Sequence, residues 1–198
     1  MWLSPRLIGR VIPIGGDIRV TATRRRVYGR RVDPISVEGL RASFVNCSKG
    51  QAAKIDLPEV AEVPWGDLDF LAWRSPRTPQ RACLVAPTAD GPVGVVLRVA
   101  QARGTAGAMR SSMCEYCHTV HSSGGVTLLT ATKAGLAGRR GDSVGSYICS
   151  DLDCSLYIRG RKRPSRVQPQ STMTLDERIE RLRLRLAGLV SSVVSPPV

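Results

Sequence analysis

Two pairs of cysteines are the part of the sequence with the clearest chemistry. Two residues separate Cys114 from Cys117, and four separate Cys149 from Cys154. A C-x2-C turn lets both sulfurs point at one centre, and four thiolates around one ion are the usual composition of a closed structural zinc site. The 31 residues between the pairs exceed the separation common in zinc ribbons, so a hairpin and a loop must fit there. We therefore predict one Zn²⁺ per chain, with no open position for a water molecule.

Three other interpretations of this stretch stay open at the level of the sequence. The four cysteines could be merely buried or disulfide-bonded. Cys114 to His118 also matches the C-x-x-C-H pattern of a c-type haem attachment site. That chemistry needs an export signal and an apolar haem pocket, no export signal is recognisable, and the second cysteine pair would have no role. His118 or His121 could replace one cysteine ligand, although we interpret both as loop residues near the metal.

The second cysteine pair must be positioned by a strand and a helix. Tyr147 to Cys149 has the residue types of a strand end, and Ser150 or Asp151 could cap a helix whose first turn contains Cys154. A knuckle, a hairpin and then a helix that carries the last ligand form a treble-clef arrangement, which we place at residues 113–160. Upstream of Tyr147 the sequence predicts a strand at 126–131 and a flexible, glycine-rich basic loop at 133–146.

The first half of the chain predicts the core that supports this finger. A helix over residues 36–46 has apolar residues at helical spacing, and Gly50 is expected just beyond its C-terminus. Residues 81–86 and 93–99 form a β-hairpin around a Thr-Ala-Asp-Gly turn. Both strands are apolar on both faces, so we expect helices to cover both sides of the sheet.

The C-terminal part predicts a long amphipathic helix at residues 174–194. Thr174 and Glu177 have the spacing of a capping box. The apolar residues that follow are spaced by three and four, which favours a stripe that docks on the core. The predicted fold class is α+β, a small β-sheet packed with helices plus a treble-clef four-cysteine zinc finger and the long C-terminal helix. The stripe consists of Leu175, Ile179, Leu182, Leu186, Leu189 and Val193.

Composition points to a reduced, cytoplasmic protein with a basic surface. The 198 residues include six cysteines, 25 Arg and only 4 Lys, with a formal net charge of +13. Residues 1–31 hold eight Arg and one acidic residue, so the rest of the chain has a balance of only +6. We expect 1–33 to be a disordered basic extension, a transit peptide or sequence outside the native protein. No apolar run approaches the roughly 20 residues of a membrane span.

Four stretches of the sequence resemble one known family. They read RASFVNCSKG at 41–50, PWGDLDFLAW at 64–73, MCEYC at 113–117 and GSYICSDLDCSLY at 145–157. These motifs resemble the FBP family, elongation factor G-binding proteins with a C-terminal treble-clef zinc finger. Its best-known members are the FusB-type fusidic acid resistance proteins. The resemblance covers about residues 35–190, which makes 34–198 an FBP-type domain.

The resemblance implies a role in translation without catalysis. The family's ligand cysteines fall on Cys114, Cys117, Cys149 and Cys154. In the family the zinc finger makes most of the contact with elongation factor G and helps its release from the ribosome. Resistance proteins of the family carry an additional N-terminal helical bundle, which this sequence lacks, so drug resistance does not follow. We expect a monomer whose partners are elongation factor G and, through the same complex, the ribosome and its RNA.

Residues on and next to the finger are the candidates for contact with the partner. Tyr116 lies between two ligands and Tyr147 two residues before a third, and tyrosines contribute strongly to interfaces. Lys133, Arg139 and Arg140 on the basic loop could steer an acidic factor. The alternative is a zinc-dependent RNA- or DNA-binding module that uses the loop and the N-terminal arm. No Ser/His/Asp arrangement is recognisable in the sequence, so we predict no enzymatic activity.

Overall fold

An antiparallel sheet of five strands forms the centre of the molecule, in a computed structural model that describes residues 32–100 and 112–194. The strand order is β1-β2-β3-β6-β7, and a two-stranded ribbon, β4-β5, carries the first cysteine pair. The predicted α+β class is therefore confirmed. The strands are β1 Leu71–Arg74, β2 Arg81–Thr88, β3 Gly91–Val99, β4 Ser112–Met113, β5 Val120–His121, β6 Val126–Thr132 and β7 Ser143–Cys149.

Within residues 32–100 and 112–194, five helices pack around the sheet, four of them short. The long one, α5, is the predicted C-terminal helix, and in the part of the chain described no helix is both long and apolar enough to cross a bilayer. Two short 3₁₀ turns at Val60–Glu62 and Trp65–Asp67 lead into β1. The helices are α1 Val37–Ser43, α2 Lys49–Ala53, α3 Gly135–Arg139, α4 Cys154–Ile158 and α5 Leu175–Val194.

The sheet is apolar on both faces, as the sequence of β2 predicts. Alternate side chains of a strand point to opposite faces. Ala82 and Leu84 belong to the cluster that contains the finger and α5, whereas Cys83 and Val85 pack with α1 and α2. All four are fully buried. Helices on both sides therefore hold the sheet, and α5 joins it to the metal centre.

Helix α1 begins as predicted but ends earlier. Ser36 caps it by accepting a hydrogen bond from the backbone N–H of Gly39 at 3.1 Å. The chain turns extended at Phe44, which forms a β-bridge with Gly94. The approach is so close that a Cβ on Gly94 would lie 2.5 Å from the Ser43 hydroxyl oxygen. This tertiary contact, absent from the helical pattern, ends the helix at Ser43.

Two further predictions about local structure are corrected. Gly50 lies inside α2, because Ser48 and Gln51 form a capping box that starts a new helix at Lys49. The stretch at 133–146 is not an open loop, since it contains α3 and the first residues of β7. The strand β7 pairs with β6 as far as Ser143, and this ladder orders residues that the glycine content suggested were flexible.

The C-terminal helix confirms the predicted stripe. Thr174 Oγ1 accepts a hydrogen bond from the Glu177 N–H, and the Glu177 carboxylate accepts one from the Thr174 N–H. Leu175 at the first turn is exposed, and Ile179 packs against the core while only partly buried. The rest of the stripe is buried in the cluster shared with the sheet and the finger, at Leu182, Leu186, Leu189 and Val193.

The core includes a residue that precedes the predicted boundary at residue 34. Val32 is buried, and its N–H donates a hydrogen bond to the Leu68 carbonyl. Val32 therefore belongs to the core rather than to the basic extension. The prediction of disorder for the preceding residues concerns 1–31, which lie outside the described residues.

Candidate metal centre

The first cysteine pair lies in a tight knuckle between β4 and β5. The Cys114 N–H donates to the Thr119 carbonyl at 3.0 Å, and the His118 N–H donates to the Cys114 carbonyl at 3.0 Å. His118 adopts a left-handed conformation with φ of 57°, which reverses the chain within four residues of Cys114. These bonds bring Cys114 and Cys117 to one side of the turn with both side chains buried.

The second pair joins the end of a strand to the start of a helix. Cys149 is the last residue of β7 and Cys154 the first residue of α4. Leu152, at φ of 67°, makes the intervening turn, and its N–H donates to the Cys149 carbonyl at 3.0 Å. The helix cap is Asp153 and not Ser150 or Asp151, because the left-handed residue delays the helix by two positions.

The four sulfurs converge on one point. All four Sγ atoms lie within 4.8 Å of one another and all four residues are buried. Cys114 Sγ lies 3.7 Å from Cys154 Sγ, and Cys117 Sγ lies 3.4 Å from Cys149 Sγ. A tetrahedron with Zn–S bonds of about 2.3 Å places its sulfurs about 3.8 Å apart. The residues therefore fit a tetrahedral Zn²⁺ site, completed by protein ligands alone.

The charge of this cluster requires a cation. Hydrogen bonds from the neighbouring thiols, Cys114 first, lower the pKa of Cys117 far below the usual range. Burial is the main reason why the pKa of Cys154 is raised well above its ordinary value. Four buried thiolates repel one another strongly, whereas one dication reduces their net charge to about −2. Zinc binding must therefore displace protons from the site and contribute directly to folding.

Two side chains contact the ligand sulfurs from outside. Thr119 Oγ1 lies 3.2 Å from Cys117 Sγ, and His121 Nε2 lies 3.3 Å from Cys149 Sγ. His121 is buried, and its ring packs edge-on against Tyr157 with centroids 4.9 Å apart. His121 is thus not one of the four ligands but supports one of them. Such supporting groups orient metal ligands and tune the affinity for the ion.

Tyr116 does not project from the knuckle as predicted. Its side chain is 3% exposed and belongs to the main hydrophobic cluster. Burial raises its pKa to about 12. A finger this small gains more by burying an aromatic ring against the sheet than by exposing it to solvent. Tyr116 is therefore a core residue in this structure, and the exposed neighbour in the knuckle is Glu115.

The remaining predicted contact residues lie on β6–α3–β7. Tyr147 on β7 is 48% exposed, and Arg139 and Arg140 at the end of α3 are exposed. Lys133 is partly buried and directly follows β6. The sequence analysis missed Leu136, which is 59% exposed on α3 beside the two arginines. The available signal was its spacing of three and four residues from the arginines, which places all three on one helix face. The spacing was not used because the segment was interpreted as a loop.

A buried ion cluster connects the finger to the rest of the fold. Asp69 has a fully buried side chain, and its carboxylate binds Arg159 at the end of α4 and Arg183 on α5. The Arg183 Nη2 to Asp69 Oδ1 distance is 2.9 Å, and the Asp69 N–H donates to Ser155 Oγ at 3.0 Å. The sequence carried no signal for this cluster, because its partners lie 90 and 114 residues from Asp69.

Comparison with known proteins agrees with this centre. A family model described as the FBP C-terminal treble-clef zinc-finger matches residues 39–193. No individual curated protein and no solved structure gives a significant match. The matched region covers most of the chain, including the four cysteines, the five-stranded sheet and α5 almost to its end. The resemblance seen in the sequence is therefore confirmed, and the chain is a zinc-binding member of the FBP C-terminal treble-clef zinc-finger family.

Proposed function

We propose that this protein binds elongation factor G through its zinc finger and promotes release or turnover of the factor on the ribosome. Membership of the FBP family carries this proposal. The role is that of a monomeric, cytoplasmic binding protein and not of an enzyme. The contact surface we propose consists of Tyr147 on β7 together with Leu136, Arg139 and Arg140 on α3.

The rigidity of this surface supports the proposal. Tyr147 lies two residues before the ligand Cys149, and its carbonyl accepts a hydrogen bond from the Glu115 N–H at 2.9 Å. The knuckle and the strand are therefore held together both by this bond and by the metal. A side chain fixed before binding loses less entropy when a partner docks, so Tyr147 is well placed as an anchor.

Charge and exposed apolar area on α3 also support the proposal. Arg139 and Arg140 follow Leu136 within one turn of α3. Arginine and tyrosine are enriched at energetically important interface positions, and an exposed leucine adds apolar area that water does not favour. Positive charge beside such a patch speeds association with an acidic partner and makes the rate depend on salt.

A binding titration of the zinc-loaded chain with purified elongation factor G tests the proposal. We expect a Kd of tens of micromolar or tighter, which corresponds to about −6 kcal/mol or more. Tyr147→Ala should weaken binding about tenfold or more, since interface anchors contribute at least about 1–2 kcal/mol. Arg139→Glu with Arg140→Glu should mainly slow association.

Matched variants elsewhere on the surface serve as controls. Leu136→Ala should also weaken binding, and Leu184→Ala is its control because Leu184 on α5 is 55% exposed. Arg77→Glu with Arg166→Glu removes the same charge from two exposed positions outside the proposed surface. No measurable affinity of the wild-type chain would refute the proposed partner. Binding that tolerates every change at the surface would instead place the contact on another face.

The alternative function is nucleic-acid binding through α3 and the N-terminal arm. The excess of arginine over lysine favours it, because guanidinium groups bind phosphates in a bidentate manner. Strong binding to RNA without affinity for elongation factor G, abolished by Arg139→Glu with Arg140→Glu, would support this alternative.

A further inference from the structure

A basic cavity lies beside the zinc centre and includes Cys117 and Thr119 in its lining. Its volume is about 490 Å³, it opens to solvent, and it is lined by the knuckle, the end of α4, the segment that follows α4 and the first turns of α5. No aspartate or glutamate lines it. The cationic residues of the lining are Lys162, Arg163, Arg178 and Arg181, and His118 lies next to them.

Most of this charge has no protein partner. Lys162 is paired with Asp151 and Asp153, at 2.8 and 2.6 Å. Across residues 32–100 and 112–194, Arg163 and Arg178 form no ion pair. Arginines that face one cavity without a carboxylate repel one another, so the cavity is electropositive.

Arg181 shows the imbalance most directly. Its Nε is buried and has no hydrogen-bond partner in the described structure. Burial, followed by the positive charge of Arg178, lowers the pKa of its guanidinium. A buried donor without an acceptor costs about 1–3 kcal/mol, and more for a charged group. The Arg181 Nη1 donates to Met173 Sδ at 2.9 Å, and a thioether sulfur is a weak acceptor, so an oxyanion in the cavity would be a better partner for this guanidinium.

The helix that carries these arginines places them at an unfavourable position. Arg178 and Arg181 are separated by one turn in the first half of α5, and Arg178 lies in the first turn, at the positive end of the helix dipole. Like charges at this spacing destabilise an isolated helix by about 0.2–0.5 kcal/mol per pair. Asp176, Glu177 and Glu180 occupy the same turns but line a neighbouring cavity. The two arginines therefore face this cavity without a carboxylate and are suited to an anion held against the helix.

We propose that this cavity binds the phosphodiester backbone of a nucleic acid. The cavity holds more guanidinium groups than one carboxylate can pair with. Consecutive phosphates of a nucleic acid can each bind a guanidinium in a bidentate manner. Tyr157, the aromatic residue of the lining, already packs against His121 and Lys162. Recognition therefore relies on backbone phosphates and not on stacked bases, and it should be independent of sequence. The site is distinct from α3 and from the surface proposed to contact elongation factor G.

Binding of a labelled single-stranded RNA of roughly ten nucleotides to the full, zinc-loaded chain tests the proposal. Arg178→Gln with Arg181→Gln removes two phosphate contacts, each contributing about 0.7 to the slope of log K against log salt. The slope should therefore fall by about 1.4, which means a loss of affinity of about 25-fold at about 0.1 M salt. The control is Arg77→Gln with Arg98→Gln, which removes the same charge from exposed positions outside the cavity and should leave the slope unchanged.

A second measurement follows phosphate binding on the wild-type chain itself. Titration of the wild-type chain with inorganic phosphate should shift the NMR resonance of the Arg181 Nε–H saturably, while chloride at equal ionic strength should not. The resonance is assigned by its loss in Arg181→Gln. Equal losses of RNA affinity in the two double variants would overturn the proposal, because they indicate unspecific charge. An effect of the variants on zinc content alone would also overturn it, since the arginines would then only neutralise the metal centre. Tighter binding of an oligoglutamate peptide than of RNA would overturn it as well, because it would indicate an acidic protein as the partner.

Discussion

Neutralising Asp69 should destabilise the whole fold, because this carboxylate joins the loop before β1 to both α4 and α5. The proposed change is Asp69→Asn, which keeps the shape but leaves Arg159 and Arg183 without their counter-ion. The side chains of Asp69, Arg159 and Arg183 are 0%, 7% and 16% exposed, so solvent screens them little. Removing one partner of a buried ion pair costs about 3–5 kcal/mol. That is a large share of a total stability of about 5–15 kcal/mol.

Asp67→Asn is the matched control two residues away. Its ion pair with Arg161 is longer, at 3.6 Å, and the side chains are 38% and 67% exposed. Exposed pairs contribute about 0–1 kcal/mol. The same chemical change should therefore have a several-fold smaller effect at Asp67 than at Asp69.

Urea denaturation of the zinc-saturated chain measures both effects, with equal m-values indicating that the unfolded states are comparable. In a chain of this size each kcal/mol of lost stability lowers Tm by about 2–4 °C. The expected loss for Asp69→Asn therefore lowers Tm by about 6–20 °C. A double-mutant cycle with Arg183→Gln should give a coupling of about 1–3 kcal/mol. If Asp69→Asn cost no more than Asp67→Asn, the buried cluster would not be what holds the finger to the fold.

Two further predictions concern the metal. Elemental analysis should find one zinc per chain. Cys149→Ser or a strong chelator should unfold the finger, because the free energy of metal binding there is free energy of folding. A chain without metal but with an unchanged circular dichroism spectrum would contradict this. His121→Phe keeps a ring against Tyr157 but removes the contact to Cys149 Sγ. A competition assay with a chelator should therefore show a zinc affinity reduced about 10–100-fold. An unchanged affinity would show that His121 only fills space.

The outcome at individual residues shows how far local patterns reach. Ser36 and the pair Thr174–Glu177 cap helices as predicted, because capping depends on residues three apart in the sequence. The end of α1 was misplaced, because Phe44 and Gly94 meet across 50 residues. A helical pattern contains no information about a strand that approaches from elsewhere.

At the candidate site too, local spacing predicted some features and tertiary packing decided the others. The spacing of the four cysteines indicated the metal and its ligands, since a C-x2-C turn needs only neighbouring residues to aim two sulfurs. Residue type suggested both Tyr116 and Tyr147 as anchors, but the structure buries the first and exposes the second. Which side of the knuckle faces the sheet depends on how the finger packs, and that packing involves residues from both halves of the chain.

The sequence by itself determined the family, the zinc ligands, the long C-terminal helix and the two-faced apolar sheet. The helix and the sheet follow from apolar patterns that repeat over two to seven residues, the ligands from two short cysteine spacings, and the family from four short stretches of sequence. Tertiary structure alone decided that Asp69 meets Arg159 and Arg183, that His121 supports Cys149, and that Arg178 and Arg181 face a cavity without acids. These arrangements arise where distant segments pack together, and the charges and lone pairs that meet there are fixed only once the core has placed α4 and α5.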